Sequence, residues 1–275
     1  MSYTLLFVFL SVLLVDVHKA LEWDYLVFSL EWPATYCSSH TCKLPYNIRN
    51  FNIHGLWPTV WPSGSPENCS KNKPFDVKII EPIYKDLQDE WVNLEDYDNP
   101  KDFWSHEWGK HGVCATTDPL ISNELDYFNI SLAIKSKVNL LRRLESVGIK
   151  PNDRVTLKTD GLLAQLKKLF NVNVLVYCSL KHHQMAKLSE VRVCMNPSLN
   201  FISCPTSQDT GVNNAEHEKH SSTVCSTNIF GIDMCKSYTP WLNLLRSCSS
   251  QESCTSPMLS SNAPCPEELI FPDFI

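Results

Sequence analysis

The stretch FWSHEWGKHGVC, Phe103 to Cys114, places two histidines, a glutamate and a lysine within six residues, among tryptophans and before a cysteine. On a helix turning about 100° per residue, with His106 taken as 0°, Lys110 falls near 40°, Glu107 near 100° and His111 near 140°. The four polar groups then share one face. Trp104 and Trp108 lie outside that arc, where they can anchor the helix to a core, and Gly112 is a natural stop.

Four readings compete for this face. A zincin-type site needs histidines at i and i+4; here they stand at i and i+5, and Lys110 puts a cation where a ligand would be. No metal and no cofactor are therefore expected. A thiol nucleophile would pair Cys114 with His111, but in an exported chain with twelve cysteines a disulfide is the better use of Cys114. The face could be a solvated run of charge. The remaining reading is acid–base chemistry on a phosphate. Two imidazoles exchange protons near neutral or mildly acidic pH, Lys110 offers positive charge to an anionic transition state, and Glu107 orients or polarises its neighbours.

That chemistry needs a partner on the far side of the substrate. FNIHGLWPT, Phe51 to Thr59, offers His54 between a short strand and a glycine turn. Taken alone, His54 could equally be a hydrogen-bonded core histidine.

Elements must position these groups. DYLVFSLEWP, from Asp24 to Pro33, is apolar on both faces, which predicts a central strand covered on both sides. Asn52 to His54 predicts a short strand broken by Gly55 and Pro58. Phe75 to Leu94 has helical spacing interrupted by Pro82. Leu120 to Val147 predicts one long amphipathic helix with the stripe Ile134, Val138, Leu141, Leu144 and Val147, ended by Gly148 and Pro151. Asp160 to Phe170 predicts a shorter helix whose Lys167–Lys168 pair is a solvated face. Val172 to Cys178 and Glu190 to Cys194 predict strands. Helices and strands mix without strict alternation, so the expected class is α+β: a central, mostly antiparallel sheet packed by several helices and stabilised by disulfides.

Residues 1–20, MSYTLLFVFLSVLLVDVHKA, have the apolar run and small terminal Ala20 of a secretory signal peptide. No long apolar run follows, so no membrane span is expected, and the product is expected to be secreted or lysosomal. Asn68 and Asn129 begin glycosylation sequons. The twelve cysteines include no Cys-x-x-Cys pair, and their even number in an exported chain implies disulfides. From 235 to 275 serine, threonine, proline and cysteine dominate, which reads as a disulfide-tied or partly disordered extension after a catalytic domain at 21–234. A net charge of −6 argues against a general nucleic-acid coat but not against a local cationic site.

IHGLWP, Ile53 to Pro58, and FWSHEWGKHGVC together closely resemble the two active-site segments of the ribonuclease T2 family; the resemblance extends more weakly from Leu26 to about Cys225. It implies a metal-free endoribonuclease of broad base preference. Single-stranded RNA would be cut by transfer to a 2′,3′-cyclic phosphate, then slowly hydrolysed to a 3′-phosphate. In this likeness His111 is the general base and His54 the general acid. His106 binds phosphate, Glu107 and Lys110 stabilise the pentavalent transition state, and Trp57 stacks on a base. DNA lacks the 2′-hydroxyl and should not be cut. Thr59 stands where some members carry an acidic, base-recognising residue, so base preference stays open, and Val113 replaces a common threonine. The resemblance also implies an acidic pH optimum, a monomer, and the pairings Cys37–Cys42, Cys69–Cys114, Cys178–Cys225 and Cys194–Cys204. Cys235, Cys248, Cys254 and Cys265 are left to pair among themselves. A different class, a secreted glycoprotein that uses its cysteine-rich tail to bind a partner, is the alternative.

Overall fold

The computed structural model describes residues 21–206 apart from 45, 47, 71, 182 and 183, the backbone of strands 223–227 and 233–237, and residues 263–274. The signal-peptide reading, Cys248 and Cys254 lie outside the described residues. In chain order the strands are β1 (Tyr25–Glu31), β2 (Asn52–Thr59), β3 (Thr156–Lys158), β4 (Leu175–Ser179), β5 (Lys187–Met195), β6 (Phe201–Ile202), β7 (Thr223–Thr227), β8 (Asp233–Ser237), β9 (Ala263–Pro264) and β10 (Glu268–Ile270). The helices are α1 (Pro33–Cys37), α2 (Tyr84–Glu90), α3 (Lys101–Glu107), α4 (Val113–Ala115), α5 (Glu124–Val138), α6 (Leu140–Ser146) and α7 (Thr159–Phe170).

The expected α+β architecture is present. One sheet runs β2-β1-β5-β10-β3, with β4 and β6 also on β5, and every pairing in it is antiparallel except β5 with β10. β1 is buried along its whole length between β2 and β5, as its apolar faces predicted. Leu26, Phe28 and Leu30 point into the main core with Ile53, Val191, Val193 and the helices; Tyr25 and Val27 join a smaller cluster with Cys194 and Cys204 on the other face.

Several local expectations are corrected. β2 is not broken at Gly55 or Pro58 but runs on to Thr59. It is the edge strand, where a missing proline N–H costs no ladder bond. The helix expected over 120–147 is two, α5 and α6, divided at Asn139, whose φ of 38° is left-handed, a conformation asparagine tolerates. Asn123 caps α5 by accepting from the Asp126 N–H, and Val147 of the predicted stripe is exposed. Between Phe75 and Leu94 only Tyr84–Glu90 is α-helical, entered by a 3₁₀ turn at Glu81–Ile83 that contains Pro82.

Cys37–Cys42, Cys69–Cys114 and Cys194–Cys204 are bonded. Cys178 is bonded to Cys265 and not to Cys225, which also takes Cys265 out of the pairings expected within the tail. The reason is topological. β9 pairs with β4 and sets Ala263 opposite Cys178, and β10 joins β5 and β3, so the last strands bring Cys265 to Cys178. The backbone of Cys225 lies in β7, opposite Cys235 of β8. The end of the segment read as an extension is thus sewn into the sheet, and its Phe271 is buried against Trp32 and Phe51.

Candidate active site

The FWSHEWGKHGVC segment is helical but not a plain α-helix. α3 passes into a π-turn, Trp108–Gly112, and then into α4, so Gly112 does not stop it. Gly112 instead lets the turn close, because a Cβ there would lie 2.4 Å from the Trp108 ring. A π-turn bonds residue i to i+5, so the wider loop sets His111 about one turn from His106 rather than far around the arc. Trp104 and Trp108 are buried as expected, and so are Glu107 and His111; His106 is exposed and Lys110 half-buried. Val113 is a core residue.

His54 reaches the site through a bulge. In the β1–β2 register Ser29 faces Gly55 and Leu30 faces Ile53, which leaves His54 as the extra residue. Bulges re-aim a side chain beside active sites, and this one stands on the edge strand next to the π-turn. The unpaired flank of β2 is closed by side chains. Trp91 Nε1 donates to the His54 carbonyl at 3.2 Å, the Tyr127 hydroxyl to that of Leu56 at 2.9 Å, and the Ser65 hydroxyl to that of Pro58 at 2.8 Å. Trp104 Nε1 donates in turn to the Trp91 carbonyl at 2.8 Å, which couples α3 to the bulge.

Gly55 is required for close approach. A Cβ there would lie 2.2 Å from Trp57 Nε1 and 2.3 Å from Glu107 Oε2. Those two groups bond each other at 2.9 Å across the space the glycine leaves. The Trp57 ring thus stands between the two predicted proton-transfer groups, with centroids 5.1 Å from His54 and 5.6 Å from His111. Thr59 is buried, and its hydroxyl turns back to the Trp57 carbonyl at 3.1 Å.

Each of the two histidines is held by Nδ1. Ser65 Oγ lies 3.2 Å from His111 Nδ1. The serine proton is spent on the Pro58 carbonyl, so Ser65 accepts, His111 carries its proton on Nδ1, and Nε2 keeps a lone pair. His54 Nδ1 donates to Glu190 Oε1 at 2.6 Å. The two rings are driven apart in basicity. Burial, then the Lys110 charge, lowers His111 to about 4. Burial would lower His54 as well, but the Glu190 hydrogen bond and charge outweigh it, with Glu31 and Glu107 adding, and hold it at about 9. Burial and Lys110 also lower His106, while burial raises Glu107 against the opposing pull of His54 and the Trp57 hydrogen bond. Lys110 Nζ pairs with Glu67 at 3.1 Å.

The predicted residues His54 and Trp57 thus fall on β2, and His106, Glu107, Lys110 and His111 on α3 and the π-turn beside it, joined through Trp57. Asn68 and Asn129 are both exposed, Asn68 on the loop whose N–H bonds the Lys110 carbonyl at 2.9 Å. Beside His54 opens a cavity of about 260 Å³, whose walls include Glu31, Tyr36, Asn93 and Phe103. Sequence reasoning missed Ser65, Glu31, Glu190 and Arg192. The signal for the last two was partial: EVRV alternates, which sets Glu190 and Arg192 on one face of β5, but alternation alone reads as a solvated polar face, whereas Glu190 is buried. Among the described residues no group of three or more His, Cys, Asp or Glu side chains is arranged to hold a metal ion, and no helix is long and apolar enough to cross a membrane.

The sequence and the fold both have relatives. The family model described as the Ribonuclease T2 family matches residues 23–204. Ribonuclease Oy of Magallana gigas is 35% identical over 187 residues, 66% of this chain and 88% of that protein. Ribonuclease 3 of Arabidopsis thaliana is 35% identical over 192 residues, 68% of this chain and 85% of that one. The solved structure of ribonuclease MC1 from bitter gourd seeds superposes with a TM-score of 0.59 at 29% identity, covering 66% of this chain and 95% of that one. With two oppositely tuned histidines on a bulged strand and a π-turned helix, this chain belongs to the ribonuclease T2 family of RNA-cleaving enzymes.

Proposed function

We propose that the chain is a metal-free endoribonuclease that cuts single-stranded RNA by transesterification, with His111 as base and His54 as acid. The observation that carries this reading is the pair of unlike Nδ1 partners: the neutral Ser65 hydroxyl leaves His111 a bare Nε2, whereas the Glu190 carboxylate favours the doubly protonated His54 ring, whose Nε2 carries a proton. His111 Nε2 takes the proton of the 2′-hydroxyl, the oxygen attacks phosphorus, and the bond to the 5′-oxygen breaks as His54 Nε2–H protonates it. The products are a 2′,3′-cyclic phosphate and a 5′-hydroxyl; water then opens the ring slowly to a 3′-phosphate.

Exposed His106 and half-buried Lys110 meet the phosphate oxygens. Glu107, with Oε2 held by Trp57 and its carboxyl raised by burial, shares a proton with a non-bridging oxygen as charge builds there. Trp57 offers a ring for base stacking. Buried Thr59, bonded to its own strand, leaves base choice broad. The apolar run at 1–20 and the four disulfides among the described residues support an exported, secreted or lysosomal protein carrying glycans at Asn68 and Asn129.

The experiment is cleavage of an oligoribonucleotide in EDTA by the wild-type chain, His54→Ala and His111→Ala. Wild type should cut undiminished by EDTA, and each variant should lose roughly 10²–10⁴-fold in rate. Loss of wild-type cleavage in EDTA, or full activity in either variant, would sink the reading.

A further inference from the structure

We propose that Glu190 is the positioning residue for the general acid, fixing the His54 ring through Nδ1 so that Nε2 stays protonated and turned toward the leaving oxygen. The inference rests on the assignment of His54 as the acid. Glu190 stands on β5, two strands from His54, with Ser29 of β1 between them. Ser29 is small and fully buried, so the imidazole and the carboxylate meet above it, and its hydroxyl donates to Glu190 Oε2 at 3.0 Å. Arg192 closes the other side, with Nε at 2.8 Å and Nη2 at 2.7 Å from the same oxygen. Its guanidinium lies 4.1 Å from the Tyr177 ring centroid and 5.0 Å from that of Trp57, which ties the carboxylate's counter-ion to the wall of the site.

Glu190 is 1% exposed, whereas His54 is 30% exposed. A buried carboxylate bonded by three groups on three strands has one geometry to offer, and the partly exposed ring must accept it. Oε1 goes to His54, while Oε2 serves Ser29 and Arg192. A charge-assisted bond of 2.6 Å is strong enough to set both ring orientation and protonation. Other charged or titratable groups face His54 as well: Glu31 from β1, Glu107 from α3, Glu95 and Asp102 across the cavity, and His106 and His111 from the catalytic segment. Glu31 is held up at about 7 by burial, so it is a weaker anion than Glu190, whose carboxyl is held at about 2 because the His54 and Arg192 contacts outweigh its burial.

A bystander ion pair with Arg192 would be merely structural, and the test separates the two roles. A ribodinucleoside phosphate needs its leaving oxygen protonated; a nucleoside 3′-(p-nitrophenyl phosphate) releases a stable phenolate and does not. Glu190→Gln should lower kcat roughly 10–100-fold on the dinucleotide but less than about threefold on the aryl ester. It should move the basic limb of the pH profile down by about one unit or more and lower the His54 titration measured by NMR. Arg192→Met should leave the His54 titration high, because Glu190 keeps its charge. Equal losses on both substrates, or an unmoved basic limb and His54 titration, would overturn the proposal. Should Glu190→Gln fail to fold, the wild-type spectrum decides: His54 must titrate well above an ordinary histidine, and titration at or below 6.5 rejects the role. His54→Ala is the control for the underlying assignment. If it loses equally on both substrates, His54 is not the acid, and the positioning role falls with it.

Discussion

At the residue scale, the site depends on giving two identical side chains opposite proton affinities. His111 is buried, faces Lys110 and is held by a neutral hydroxyl, so its charged form is disfavoured. His54 faces a buried carboxylate, so its charged form is favoured. In the proposed roles the base must be neutral and the acid protonated, a condition met between about 4 and about 9. We therefore expect kcat/KM to fall below the lower value as His111 gains a proton, and above the upper one as His54 loses its own. Steady-state rates across that range would check the sign of each limb. A profile whose acidic limb vanished in His54→Ala rather than in His111→Ala would reverse the assignment. Glu107 and Lys110 were legible as charge-bearing neighbours, but their roles depend on partners 40 or more residues away, Trp57 and Glu67.

At the element scale, two irregularities do the aiming: a bulge that frees His54 from the ladder, and a π-turn that sets His111 about one turn from His106. Neither is written in hydrophobic periodicity. Asn52 to His54 predicted a short strand broken by Gly55 and Pro58, because glycine and proline ordinarily punctuate a chain; here the glycine makes room for a side-chain hydrogen bond and the proline sits on an edge. Similarly, the 100° wheel placed the right residues on one face but could not foresee the wider turn. Gly55→Ala puts a methyl where Trp57 and Glu107 meet, so it should cost at least roughly tenfold in kcat/KM and destabilise the fold by about 1–3 kcal/mol. Rates and thermal unfolding on the same preparation would measure both, and a variant with unchanged activity would show that the Trp57–Glu107 contact is dispensable.

At the scale of the whole molecule, the central strand, the short helix α7 and the mixed class followed from apolar patterning, because burial is what that pattern records, whereas the break at Asn139 and the shortness of α2 did not. Pairings distant in sequence did not. Glu190 lies 136 residues from His54, and Cys265 lies 87 from Cys178. The family likeness offered Cys225 as the partner of Cys178, whereas β9 and β10 deliver Cys265. Closing so long a loop constrains the unfolded chain by roughly 4–5 kcal/mol in the chain-entropy account. The last strands also carry Phe271 and Leu269 into the core, so the C-terminal residues help to hold the sheet whose fifth strand bears Glu190. All of this serves one reaction, and its products report on it most directly. A single ribodinucleoside phosphate, incubated in EDTA and followed by ³¹P NMR, should yield a 2′,3′-cyclic phosphate and a 5′-hydroxyl nucleoside, with the 2′-deoxy analogue untouched. A 5′-phosphate product, or cleavage of the deoxy substrate, would contradict transesterification by this pair of histidines.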